Sequence, residues 1–259
     1  DAEIRQSISN IMADSQEDEI ISFMKVPTWT QINAPLLTSN VDKPIPEQGD
    51  AKFSFNPISN QQLRIWRGGD LTKLRIDAVT HGVDEFLLPL AFDEDSISTK
   101  SGPMLVGELN RVSRHESYKP GEAFLTNGYG VHACYVIHTV IPRKTRKYGD
   151  ASDSALHHSY RNSMQVMIEN KVRSIAFGTF GVVSRGFERF ETCHIVLRTL
   201  RSMIQKFEDK IDTVVLLLNN DHDYQQYCRF LPLYFPRSHE EAQLAAHLLP
   251  SDLLNEYGD

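Results

Sequence analysis

The sequence predicts an α/β domain: a mainly parallel or mixed sheet with helices packed on both faces. Three observations lead there. From residue 63 onward, short apolar strand-like runs alternate with helix-length segments. The segment 152–171 places Leu156, Tyr160, Met164, Met167 and Ile168 on one stripe at helical spacing. The run 214–218 is continuously apolar, as a strand buried on both faces requires. Strands separated by helices of this length pair in parallel and are covered from both sides.

Taken in order, residues 1–60 read as an arm laid over the domain. Ile4, Ile8, Ile11, Met12, Ile20, Ile21, Phe23 and Met24 leave room for a peripheral helix within 2–25, and Pro27, Pro35, Pro44 and Pro46 interrupt any regular element after it. The main domain is expected over 61–240. Its strands are LRIW (63–66), IDAVTH (76–81), AFLTNG (123–128), HACYVIHTVI (132–141), 173–177 and 213–218. A helix is expected over 152–171, started by Ser152 or Asp153 as cap. A longer one over 187–207 turns Cys193, Val196, Leu197, Leu200 and Ile204 inward. A short helix over 223–230 precedes LPLYFPRS, and 241–259 reads as a tail or a linker toward a further domain. The chain opens on Asp1 without a methionine, so it reads as part of a longer protein.

Composition narrows the function. The 259 residues are 41% hydrophobic, enough for one sizeable core, and carry a net charge of -7. A general polyanion binder needs a basic patch. The short KVRS and PRKTRK runs read as solvated loops, so nucleic acid is not expected as a main partner. The three cysteines, Cys134, Cys193 and Cys228, are odd in number and show no CxxC spacing. Neither a disulfide framework nor a metal site is expected, which suits a reducing, intracellular and cytoplasmic setting. No apolar run reaches the roughly 20 residues of a membrane span, and no secretory signal pattern is present. No cofactor is expected.

Ligands of open α/β sheets sit beyond the carboxyl ends of the strands. Three segments belong there: Gly68, Gly69 and Asp70 with Leu71, the loop 80–95, and the loop 178–186. Asp70 either accepts a hydrogen bond from an exocyclic amine or caps a turn, and the cap is the favoured reading. In FGTFGVVSRGFE, Gly178, Gly181 and Gly186 precede a helix beside Arg185. This is either an anion cradle or a tight turn, and it matches neither the P-loop nor the dinucleotide fingerprint. His81, His132, His138, His157 and His158 read as core or loop histidines, with His132 and His138 on one face of one strand. The DHD at 221–223 reads as a polar loop that supplies a helix cap. No serine is marked as an activated nucleophile.

The blocks GDLTKLRIDAV, KPGEAFLTNGY, CYVIHTVIP, SYRNSMQVMIENKVRSIAFG and HIVLRTLRSMI occur in that order between residues 63 and about 231. Together they resemble the macrodomain family. The resemblance implies a three-layer α/β/α macrodomain with a mixed, mostly parallel sheet, and a module that recognises ADP-ribose or a related nucleotide. It puts Asp70 and Leu71 at the adenine. It puts His81 and Asp84 in the stretch around the distal ribose, with Asp84 where hydrolytic members keep an asparagine, so Asp84 is the candidate catalytic group. The glycine-rich loop is replaced by LLPLAFDEDSI, whose Asp93, Glu94 and Asp95 oppose a pyrophosphate. The second loop falls on Gly181, Val182, Val183, Ser184 and Arg185, with Gly186 following and Asn219 or Asn220 near the adenine stack. The implied function is a binding module with a degenerate pocket and no catalysis, its partner ADP-ribose or an ADP-ribosylated protein. The alternatives are a hydrolase of ADP-ribosyl or O-acetyl-ADP-ribose substrates and an interaction scaffold with a vestigial pocket. The blocks KVPTW, RGFERFETCHIVLRTLR and FLPLYFPRS are similar to a subgroup that continues into a Sec14-like lipid-binding domain.

Overall fold

The computed structural model describes residues 20–37, 53–90, 95–180 and 182–249. Most of the expected N-terminal helix, the side chains of Asp93, Glu94 and Asp95, Gly181 and residues 250–259 lie outside the described set.

β1 (Ile21–Ser22) pairs in parallel with β3 (Leu74–Arg75) as a small separate ladder. α1 (Pro57–Gln62) starts on Pro57, with Asn56 Oδ1 accepting from the amides of Ile58 and Ser59. The main sheet contains β2 (Leu63–Arg67), β4 (Ala78–Val83), β5 (Ala123–Asn127), β6 (Tyr135–Val140), β7 (Ser174–Phe177) and β8 (Thr213–Leu218). Their order is β2-β8-β7-β4-β6-β5, parallel throughout except for the β5–β6 pair at one edge. Between the strands run α2 (Asp95–Ser101), α3 (Pro103–His115), α4 (Gly149–Glu169) and α5 (Arg189–Lys206), and after β8 come α6 (Asp221–Tyr234) and α7 (His239–Leu248).

The strand period of two divides the core. Along β8, Val214, Leu216 and Leu218 join Leu156, Met164, Val196 and Leu200 of α4 and α5 on one face. Val215 and Leu217 join Ile97, Leu105 and Leu109 of α2 and α3 on the other. The result is the expected three layers.

Several elements depart from the sequence reading. Residues 80–83 belong to β4, so the loop begins at Asp84. β6 starts at Tyr135, which leaves His132 exposed in the preceding turn while His138 is buried; the two do not share a strand face. α4 begins three residues before Ser152, whose hydroxyl donates to Tyr148 O and Arg143 O from inside the first turn; neither Ser152 nor Asp153 is its cap. The DHD lies within α6, capped by Asn220. α6 also absorbs LPLY despite Pro232, because Leu231 and Tyr234 are almost fully buried and their packing outweighs the lost amide. Residues 241–248 are helical, with Ala242 and Ala245 buried. Among the described residues no helix is long and apolar enough to cross a membrane.

The arm is bound to the C-terminal part. Trp29 is fully buried and its indole N–H donates to Phe235 O at 2.7 Å. The Arg237 guanidinium lies 4.9 Å over the Trp29 ring and donates to Ala34 O, Pro35 O and Glu241.

Candidate functional site

β2, β8 and β7 are neighbours and parallel, so their carboxyl ends deliver Asp70, Asn219 and the connection from Thr179 to Glu188 along one edge. A cleft of about 380 Å³ opens there, within the range of small-molecule sites. Val182, Val183 and Ser184 form one wall, Arg189, Thr192 and Cys193 of α5 another, and Asn219, Asn220, Asp223 and Tyr227 the third. Arg189 Nε donates to Asp223 Oδ1 at 2.7 Å and so links α5 to α6. Glu188, the cap of α5, makes no side-chain capping bond, so the first amides of that 18-residue helix keep their anion-attracting character. Cys193 and Tyr227 touch in the wall; burial pushes the Cys193 thiol up to about 12 and the Tyr227 hydroxyl well above its usual value. A protonated thiol is no nucleophile. The cleft offers amides, hydroxyls and apolar surface, which suits holding a sugar or a base rather than covalent chemistry.

Of the remaining sequence-derived candidates, Asp70, Leu71, His81, Asp84, Arg185 and Gly186 do not line this cleft, and Gly181 lies outside the described residues. Asp70 caps the turn Leu71–Lys73: its Oδ1 accepts from Thr72 N at 2.9 Å and from Thr72 Oγ1 at 2.7 Å. Leu71 is buried in the same core cluster as Ile97. His81 is buried against His138. Asp84 Oδ1 accepts from Phe86 N and Leu88 N, both at 2.9 Å, and fixes a turn in which Leu87 takes a φ of 61° and points inward. Leu90 N then returns to Gly82 O. A β-carbon on Gly82 would stand 3.2–3.3 Å from Ile141, Phe180 and Leu90, so no free space remains there. Phe180, with a φ of 54°, fills that place against Tyr160 and Phe177. Arg185 is 7% exposed. Its guanidinium donates to Ile141 O and Pro142 O, and Glu85 Oε2 lies 3.9 Å away. Gly186 takes a φ of 90° beside Lys144 O, which explains the glycine as a turn requirement.

A macro domain family profile matches residues 94–196. The crystal structure of the GDAP2 macro domain superposes with a TM-score of 0.72 at 29% identity, covering 85% of this chain and 98% of that one. This chain belongs to the macro domain family. Its relatives include the GDAP2 homolog of Nematostella vectensis, 30% identical over 240 residues, which cover 93% of this chain and 47% of that protein. Another is ganglioside-induced differentiation-associated protein 2 of Xenopus laevis, 34% identical over 207 residues, covering 80% and 41%. This macro domain chain therefore spans less than half the length of those relatives. The Trypanosoma brucei macrodomain in complex with ADP-ribose shares the fold at a TM-score of 0.58 and 24% identity, covering 66% of this chain and 70% of that one.

Sequence reasoning missed Arg189, Thr192, Cys193, Asp223 and Tyr227 of this macro domain's cleft, while Thr179 falls in the 178–186 loop it singled out. Cys193 read as an inward residue of its helix, which it is; only the packing of α6 against α5 turns that position into a cavity wall. No local signal in the sequence encodes that contact. Among the described residues no group of three His, Cys, Asp or Glu side chains is arranged to hold a metal ion.

Proposed function

We propose that this macro domain is a binding module for ADP-ribose or a related nucleotide, or for a protein carrying ADP-ribose, and that it performs no hydrolysis. The observation that carries the reading is the arrival of Asn219 and the 182–184 segment at the ends of neighbouring strands, where they wall an open cleft. The fold shared with a macrodomain crystallised with ADP-ribose supports the ligand class. The absence of hydrolysis is supported by Asp84, whose Oδ1 is engaged by two amides of its own turn. The pocket is degenerate in this reading. Val183 stands on its rim where the family's cradle has glycine, and Arg185 spends its charge on backbone carbonyls. An intracellular, cytoplasmic setting belongs to the same proposal and is supported by three free thiols.

Titration of ADP-ribose by calorimetry tests the reading. Saturable binding is expected, and Asn219→Ala, which removes a side chain lining the cleft, weakens it up to about tenfold, the worth of one hydrogen bond. Absence of both heat and thermal shift at millimolar ligand sinks the proposal and leaves the scaffold. Incubation with an ADP-ribosylated protein should leave the label in place; its removal by the wild type but not by Asp84→Ala would make the module a hydrolase.

A further inference from the structure

Two histidines with no part in the cleft form a buried pair of their own. His81 on β4 and His138 on β6 are register partners on adjacent strands, with Nδ1 facing Nδ1 at 3.1 Å. Each far nitrogen meets a hydroxyl. His81 Nε2 lies 3.3 Å from Ser98 Oγ on α2, and His138 Nε2 lies 2.9 Å from Thr126 Oγ1 on β5. His81 is 1% exposed and His138 0%, and Phe124 stacks on His138 at 4.9 Å.

The protons of this chain can be placed. Thr126 Oγ1 donates to Asn127 O at 3.1 Å, so its single hydrogen is committed and His138 Nε2 must donate to it. His138 Nδ1 then accepts, His81 Nδ1 donates, and His81 Nε2 accepts from Ser98. The bonds run one way from α2 through β4 and β6 to β5, with one hydrogen on each neutral ring. A further proton on His138 Nδ1 would set two N–H groups face to face. One on His81 Nε2 would reverse the Ser98 bond and bury a charge. The ring nitrogens face each other and two neutral hydroxyls, and among the described residues no carboxylate is paired with either ring to compensate it. Burial alone holds His81 down to about 4; burial, and then His81, hold His138 well below its usual range.

Apart from the Ser98 bond, α2 is anchored to its surroundings by Ile97 and by Ser101 O, which accepts from Gly130 N at 3.4 Å. It is seven residues long, and Ile97 is its fully buried apolar side chain, whereas α5 buries residues along most of its 18. We infer that the His81–His138 pair is an acid-sensitive fastener of α2, which holds that helix to the sheet while both rings are neutral and releases it locally when a proton is taken up. The inference goes beyond nucleotide binding and does not depend on it. The direction follows from linkage. Opening α2 uncovers His81, whose ordinary value of 6.5 exceeds its closed-state value of about 4. The open form binds the proton more tightly, so opening grows as pH falls below 6.5 and stops growing near 4.

Amide hydrogen exchange on the whole 259-residue chain reads this directly. After correction for intrinsic rates, the opening constant of α2 amides is expected to rise about tenfold per pH unit below 6.5, one proton per opening, while α5 amides hold steady. His81→Asn abolishes that slope. Should this variant fail to fold, nitrogen NMR of the wild-type rings decides. Hydrogen on His81 Nδ1 and His138 Nε2, with both rings still neutral at about pH 5.5, supports the fastener. Rings that titrate near 6.5, α2 opening that ignores pH, or α2 opening only in step with α5 overturns it.

Discussion

The two halves of the sheet end in opposite ways. Beyond β2, β8 and β7 the chain leaves a cleft walled by neutral amides, hydroxyls and an Arg189–Asp223 ion pair. Beyond β4 and β6 it folds back on itself: Leu90 and Phe180 close over Gly82, Asp84 ties its own turn, and Arg185 secures the Ile141 and Pro142 carbonyls. Both halves are parallel strands ending at the same edge, so topology alone does not make a site. The residue following each strand decides whether the strand end is occupied by the protein or left for a ligand.

The strongest way to break this contrast is Phe180→Ala. Emptying the plug should cost about 3–5 kcal/mol in urea denaturation and open a second cavity beside Gly82. A loss under about 1 kcal/mol would show that the closed half is not held by this ring. Arg185→Ala is expected to cost about 1–3 kcal/mol, since two inner carbonyls lose a charged donor. An unchanged melting curve would mean that water replaces the guanidinium at no cost. On the open half, Tyr227→Phe removes the contact with Cys193 and should cost about 1 kcal/mol or less, with the cleft intact. A cost matching that of Phe180→Ala would erase the difference between the halves.

Much of the fold was legible because it is written in local periodicity. β8 falls on 213–218 as read, and four of the five stripe residues of α4 are buried, with Ile168 partly so. α2 and α3 were missed because their apolar pattern is diluted: Leu105 and Leu109 are buried, but Met104 and Val106 stand exposed among them. α7 carried a readable signal, Ser238 with Glu241 three residues on, and Ser238 Oγ does accept from the Glu241 amide. The strand-end segments were legible as places. Their occupants were not, since Arg185 meets carbonyls 43 and 44 residues away and Phe180 fills a space defined by three other segments.

The clasp between Trp29, Phe235 and Arg237 bears on where this domain stops. A fragment begun at residue 63, where the family motifs start, would lose Trp29 and leave the Phe235 carbonyl without its donor. The buried core thus extends past the family motifs on both sides, back to Val26 and forward to Ala245, and any fragment cut inside those two residues would lose packed side chains.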